Sequence, residues 1–286
     1  MTVELGAFVV PDATEPDSVL EQVLAVERSG LDLVGIQDHP YQRRFFDTFS
    51  LIAFLAARTE RVRLFPAVAN LPLRHPALLA KASASIDVLS GGRFELGLGA
   101  GAFWEAIEAF GGTRMTGKES VDALEEAITI LRACWSGERS VTFEGEHYGM
   151  RGAKFGPPPA HDIGIWLGAY GPRMMRVTGR LADGWFPSLP RLPLAELPGR
   201  IRIIEEAAER AGRDPRSIRR IGNVSGVIQD GPVEGWLRGP PEHWIDELGS
   251  LHGEHGFDAF LLWSDGDMTE QIGRLAAEVA PALRRL

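Results

Sequence analysis

Asp38 and His39 stand side by side in LDLVGIQDHPYQRR, residues 31–44, directly after the apolar run Leu33–Ile36. A carboxylate next to an imidazole, where a buried strand emerges into a loop, suits proton transfer. The imidazole titrates near neutrality and a neighbouring acid can orient it. The plainer alternative is a turn, because Pro40 follows and Asp commonly bonds backbone in turns. The remaining histidines, at 75, 147, 161, 243, 252 and 255, form no HExxH or Cys/His set. His252 and His255 are three apart but lack a third ligand, so no metal is expected. His75-Pro76 reads as the start of a helix rather than as a site. No lysine (Lys81, Lys118, Lys154) ends an apolar run, which disfavours Schiff-base chemistry. Cys134, the single cysteine, lies on an apolar helix face and reads as inert core.

Two glycine-rich stretches suggest ligand binding. In WLGAYGPRMMRVTGRLADGWFP (166–187) a strand runs into Gly168-Ala169-Tyr170-Gly171, and Pro172 opens a helix. Such a helix start offers free N–H groups and a positive dipole end to a phosphate, with Arg173 placed to add a charged contact. An ordinary glycine-containing turn is the alternative. In GLGAGAFWEAIEAFGG (97–112) the third glycine of a dinucleotide fingerprint is missing, so that reading is rejected. Gly99 and Gly101 leave room for a planar ligand, with Phe103 and Trp104 as its walls on the substrate side. A tight structural turn explains the same residues.

These segments must be held by a scaffold. Apolar runs of strand length occur at 4–10, 32–37, 62–69, 93–98, 163–168, 184–187, 221–228 and 257–263, continuous enough for a parallel sheet buried on both faces. Helix-period segments follow each, at 17–29, 47–58, 75–89, 119–135, 172–182, 197–211, 241–252 and 268–284. Thr116 and Glu119 fit a capping box ahead of the fourth. Strict alternation over 286 residues predicts a single (β/α)8 TIM barrel, with insertions at 99–118 and 137–162. The second insertion contains a hairpin turning at Glu144-Gly145-Glu146. In such barrels the active site lies at the carboxyl ends of the strands, where Asp38, His39, Asn70 and both glycine stretches fall.

Composition narrows the function. Hydrophobic residues make up 44% and the net charge is −9, with no basic stripe, so no nucleic-acid partner is expected. No apolar run approaches the ~18 residues of a membrane span, and the start carries no basic segment of a signal peptide. The expected location is the cytoplasm.

The sequence resembles the bacterial luciferase-like monooxygenase superfamily of flavin- and deazaflavin-dependent oxidoreductases. The resemblance rests on ERSGLDLVGIQDH (27–39), RHPALLAKASASIDVLSGGRFELGLGAG (74–101) and GPRMMRVTGRLADGW (171–185). It implies a barrel holding FMN or the 8-hydroxy-5-deazaflavin coenzyme F420 at the carboxyl ends of its strands. The cofactor phosphate would lie at Gly168, Ala169, Gly171, Pro172 and Arg173. The ring would lie against Ala67, Ala69, Asn70, Gly99 and Gly101, beside Asp38 and His39. A non-proline cis peptide within Phe65–Val68 would support it. The resemblance further implies a homodimer acting on a small organic molecule, with His39 as proton donor and Asp38 orienting it or contacting the ring. The Asp-His pair favours F420. Two features depart from the deazaflavin-dependent sugar and alcohol dehydrogenases. No tryptophan follows the pair, and Ala102 replaces a glutamate after the glycine turn. A non-catalytic cofactor-binding protein, an inactive heterodimer partner, or an unrelated phosphate-binding aldolase or isomerase barrel are the competing readings.

Overall fold

The computed structural model describes residues 2–286. The strands are β1 (Glu4–Val9), β2 (Leu33–Ile36), β3 (Arg63–Pro66), β4 (Ala69–Asn70) and β5 (Leu96–Gly99), then β6 (Val141–Glu144) and β7 (Gly149–Ala153). They continue as β8 (Ile165–Leu167), β9 (Gly184–Trp185), β10 (Arg219–Ser225), β11 (Val227–Ile228), β12 (Arg238–Gly239) and β13 (Ala259–Trp263). Nine of them form one sheet in the order β3-β2-β1-β13-β10-β9-β8-β5-β4. All its ladders are parallel. Because β3 and β4 are halves of one chain segment, the two ends of this sheet meet and an eight-position barrel closes. The predicted strand over 62–69 is therefore interrupted, at a cis peptide between Ala67 and Val68, inside the range expected from the family resemblance. The predicted run 221–228 also divides. Its end, β11, pairs with β12 in a small sheet of its own.

The helices are α1 (Pro16–Arg28), α2 (Thr48–Ala56), α3 (Pro76–Ser90), α4 (Trp104–Ala109) and α5 (Gly117–Trp135). They are followed by α6 (Pro172–Leu181), α7 (Leu197–Arg210), α8 (Pro241–His255), α9 (Met268–Arg274) and α10 (Ala280–Leu283). The short α4 lies inside the stretch 99–118, for which no helix is predicted. The Thr116–Glu119 capping box opens α5 as expected, and Cys134 is buried on that helix. The segment 268–284 is not one regular helix, since a π-helical turn at Leu275–Val279 separates α9 from α10. Pro281 explains the fault. It has no N–H to donate, and its ring displaces the carbonyl four residues earlier. The hairpin β6–β7 turns at residues 145–148, where the N–H of Gly145 bonds the carbonyl of Tyr148.

The barrel is packed on both faces. Outward residues such as Leu5, Val34, Ile36 and Leu64 join the helices in the main core. Inward residues, among them Leu33, Phe65, Trp166, Phe186, Ile221 and Leu261, fill the lumen. Space for the large rings comes from small neighbours. A Cβ on Gly184 would stand 2.7 Å from Trp166 Cδ1.

At the amino ends of the strands charged residues close the barrel. Arg219 reaches Glu4 at 2.6 Å and Asp258 at 2.8 Å, and Arg63 pairs with Glu4 and, at 3.4 Å, Glu95. Asp87, fully buried on α3, accepts from the backbone of Ala160 and His161 and from His161 Nδ1 at 2.8 Å.

Candidate functional site

The opposite, carboxyl end of the barrel holds a cavity of about 540 Å³, within the size range of cofactor pockets. Its floor is the broken third strand, Ala67 to Asn70, with Gly99 of β5 beside it. Gly101 follows in a left-handed conformation at φ +96°, where an added Cβ would stand 2.6 Å from Pro72.

His39 follows β2 on the cavity wall and is half-buried. Burial is the largest influence on it and lowers its pKa from the ordinary value. The Asp38 carboxylate opposes this, and the Arg191 guanidinium adds to it. The imidazole therefore favours its neutral form more than a free histidine does. Its Nδ1 lies 2.9 Å from the Tyr41 hydroxyl, and the Phe103 ring covers it with centroids 5.3 Å apart.

Asp38 does not orient His39, contrary to the expectation from adjacency. Its buried carboxylate accepts from Arg74 Nε at 3.0 Å, Arg74 Nη2 at 2.8 Å and the Asn70 N–H at 2.9 Å. These bonds satisfy it and lock the end of β2 to β4, so its work is to hold the cavity floor. Asn70 stands on that floor with its side-chain oxygen buried and unpartnered.

At the far end α6 begins at the cavity with Gly171 as its N-cap and Pro172 at its first position. A Cβ on Gly171 would meet nothing within 4 Å, which leaves open space beside the first-turn amides. Gly168, Pro172 and Arg173 also line this end. Arg173 is already engaged, bonding Asp122 and the Lys118 carbonyl on α5.

Two expected contacts are not brought to the cavity. Ala169 is buried below it, its carbonyl accepting from Trp185 Nε1 at 2.9 Å. Trp104 turns behind Gly101 as the first residue of α4, so Phe103 alone forms that wall. Glu105 and Glu108, the acids nearest the missing glutamate, are both paired with Arg114 and do not line the cavity.

Of the cavity residues that escape a sequence reading, four bear on the chemistry. Tyr41 borders His39. Arg191 follows β9 without an ion-pair partner among the described residues. Tyr170 accepts from the Ser188 N–H at 2.9 Å. Asn223, on β10, has an unpartnered buried side-chain oxygen like that of Asn70. A polar residue inside an apolar strand run (RRIGNVSGVI) was the one available signal for Asn223.

Residues 3–265 match the family described as luciferase-like monooxygenase. An F420-dependent glucose-6-phosphate dehydrogenase of Gordonia bronchialis is 32% identical over 225 residues, covering 76% of this chain and 66% of that protein. A phthiodiolone/phenolphthiodiolone dimycocerosates ketoreductase of a Mycobacterium species is 37% identical over 177 residues, covering 60% of this chain and 45% of that protein. The chain thus spans less than two thirds of the length of either relative. Among solved structures, an F420-dependent secondary alcohol dehydrogenase in complex with an F420–acetone adduct aligns with a TM-score of 0.88 at 19% identity, covering 99% of this chain and 100% of that one. A long-chain alkane monooxygenase aligns at 0.85 with 14% identity, covering 100% and 92%. At such identities the likeness is one of fold. The interrupted third strand, the glycine turns at the strand ends and a family match over residues 3–265 together assign this chain to the luciferase-like monooxygenase family.

Proposed function

We propose that the chain is a deazaflavin-dependent oxidoreductase that moves a hydride between coenzyme F420 and the oxygen-bearing carbon of a small organic molecule. The observation that carries this is the cavity itself. The His39 imidazole, with Nε2 free, faces a cavity where two buried amide oxygens, on Asn70 and Asn223, have no partner among the described residues. Unpaired buried polar groups are costly, so a polar-edged ring that bonds them fits this chemistry. The names of the F420-dependent relatives support the choice of cofactor.

The open space at Gly171 and the start of α6 suit the cofactor phosphate. Ala67, Ala69, Asn70, Gly99 and Gly101 would hold the ring. When bound, the deazaflavin supplies a ring carbon that takes or gives a hydride. His39 Nε2–H hydrogen-bonds the substrate oxygen and stabilises the negative charge that develops on it as the hydride moves, the oxygen's proton being exchanged with water. Phe103 excludes water from one side of His39. Asp38 acts indirectly, by fixing Asn70 through its backbone.

A second reading is an FMN-dependent oxygenase. It is favoured by the absence, among the described residues, of a free carboxylate in the cavity, since Asp38 is sequestered. A homodimer is part of the proposal, supported by apolar side chains exposed on α2 and α3: Phe54 at 49%, Leu78 at 71% and Leu89 at 79%. A cytoplasmic location is part of the proposal as well. Purified chain incubated with oxidised F420 and a panel of secondary alcohols should bleach the chromophore. No bleaching of F420 with alcohols, together with no oxygenated product from reduced FMN, oxygen and substrate, would leave the non-catalytic reading standing.

A further inference from the structure

The contact between Tyr41 and His39 has no part in the mechanism above. The Tyr41 oxygen lies 2.9 Å from His39 Nδ1, and the two rings meet edge-on at 66° with centroids 5.3 Å apart. Phe103 packs against both, 5.3 Å from the His39 centroid and 6.3 Å from that of Tyr41. Nδ1 is the one ring nitrogen of His39 with a partner among the described residues, and Nε2 is left for the cavity.

No carboxylate competes for this nitrogen. Asp38 is consumed by Arg74 and the Asn70 backbone. Ala102 occupies the turn where an acid is missing, and Glu105 and Glu108 are held by Arg114. Tyr41 thus stands where a carboxylate stands beside many catalytic histidines, but with the hydrogen bond reversed, since a carboxylate can only accept from Nδ1–H and a phenol can donate to Nδ1. The direction of the bond follows from acidity. A phenol is a far better proton donor than a neutral imidazole N–H, so O–H···Nδ1 outweighs the reverse arrangement. Burial, with the Asp38 charge adding to it, raises the Tyr41 pKa and keeps the phenol protonated.

We propose that Tyr41 is a positioning residue for His39, donating its hydroxyl proton to Nδ1 and presenting Nε2–H to the substrate oxygen. The substrate half of this statement rests on the oxidoreductase reading; the pairing does not. The charged and titratable groups facing His39 are Asp38, Tyr41 and Arg191.

Long-range ¹H–¹⁵N NMR of the His39 ring tests the pairing in the purified chain, without cofactor, above the pH at which His39 is protonated. In wild type Nδ1 should report as unprotonated and Nε2 as protonated. In Tyr41→Phe the two shifts should move toward each other as the tautomers mix. A protonated Nδ1 in wild type, or an unchanged spectrum in the variant, overturns the pairing. Kinetics with F420 test its use. Tyr41→Phe should lower kcat about tenfold in wild type and have no further effect in a His39→Ala background. An equal loss in both backgrounds overturns the positioning role. Absence of F420 turnover in wild type, with the NMR pattern intact, overturns the activity reading and upholds the pairing.

Discussion

The two ends of the barrel use polar residues in opposite ways. At the amino end Glu4, Arg63, Arg219 and Asp258 answer one another's charges, and Asp87 is saturated by three backbone N–H groups and the His161 ring. His161 Nε2 lacks a hydrogen bond there, yet it lies 3.8 Å from Glu95 Oε1. At the carboxyl end one carboxylate, Asp38, is equally saturated, while Asn70, Asn223 and Arg191 have side-chain groups with no partner among the described residues. Satisfied networks stabilise a fold, whereas unsatisfied ones await a ligand. Asp38 belongs to the first kind although it stands among the second.

The largest way to break this contrast is at the amino end. Asp87→Ala strands three backbone N–H groups, of Phe94, Ala160 and His161, and the His161 ring, and should destabilise the fold by about 3–5 kcal/mol. Denaturant unfolding would read this loss, with cofactor affinity unchanged at temperatures where the variant is folded. His39→Ala should do the reverse. Turnover falls at least about a hundredfold, near 2.7 kcal/mol of barrier, while the unfolding midpoint stays put. Asn70→Ala and Asn223→Ala should each weaken F420 binding about tenfold, or 1.4 kcal/mol, as a fluorescence titration would show. Unchanged affinity in both would mean that these amides do not meet the ring.

The smallest expected effect sharpens the electrostatics. Folded His39 binds its proton less readily than the unfolded residue, so it costs the fold stability as pH falls through the ordinary value of 6.5. For the same reason the Tyr41 O–H···Nδ1 bond, which needs neutral His39, and the activity that depends on it fade on the acid side of that value. Arg191→Ala removes one of the influences lowering this pKa, so an NMR titration should find the His39 midpoint moved upward.

The scaffold was legible because each barrel strand is buried on both faces and writes a continuous apolar run, as in Leu33–Ile36, where all four residues are buried. His39 was legible as a rim residue for the same reason. Asp38 was misread because its partner Arg74 lies 36 residues away, and adjacency in sequence suggested His39 instead. Trp104 was misplaced because α4, a single short helix inside an insertion, turns it behind Gly101. Arg191, Tyr170 and Asn223 converge from three different βα loops or strand ends. No local pattern encodes that convergence; only barrel closure creates it. The hand-over from Asp38 to Tyr41 as the partner of His39 was invisible for the same reason.

The central claim is that this cavity binds a deazaflavin ring, and equilibrium titration of the apo chain with oxidised F420 and, separately, with FMN tests it most directly. Saturable binding with preference for F420, lowered in Asn70→Ala, is the expected result. Preference for FMN, or binding of neither, would contradict it.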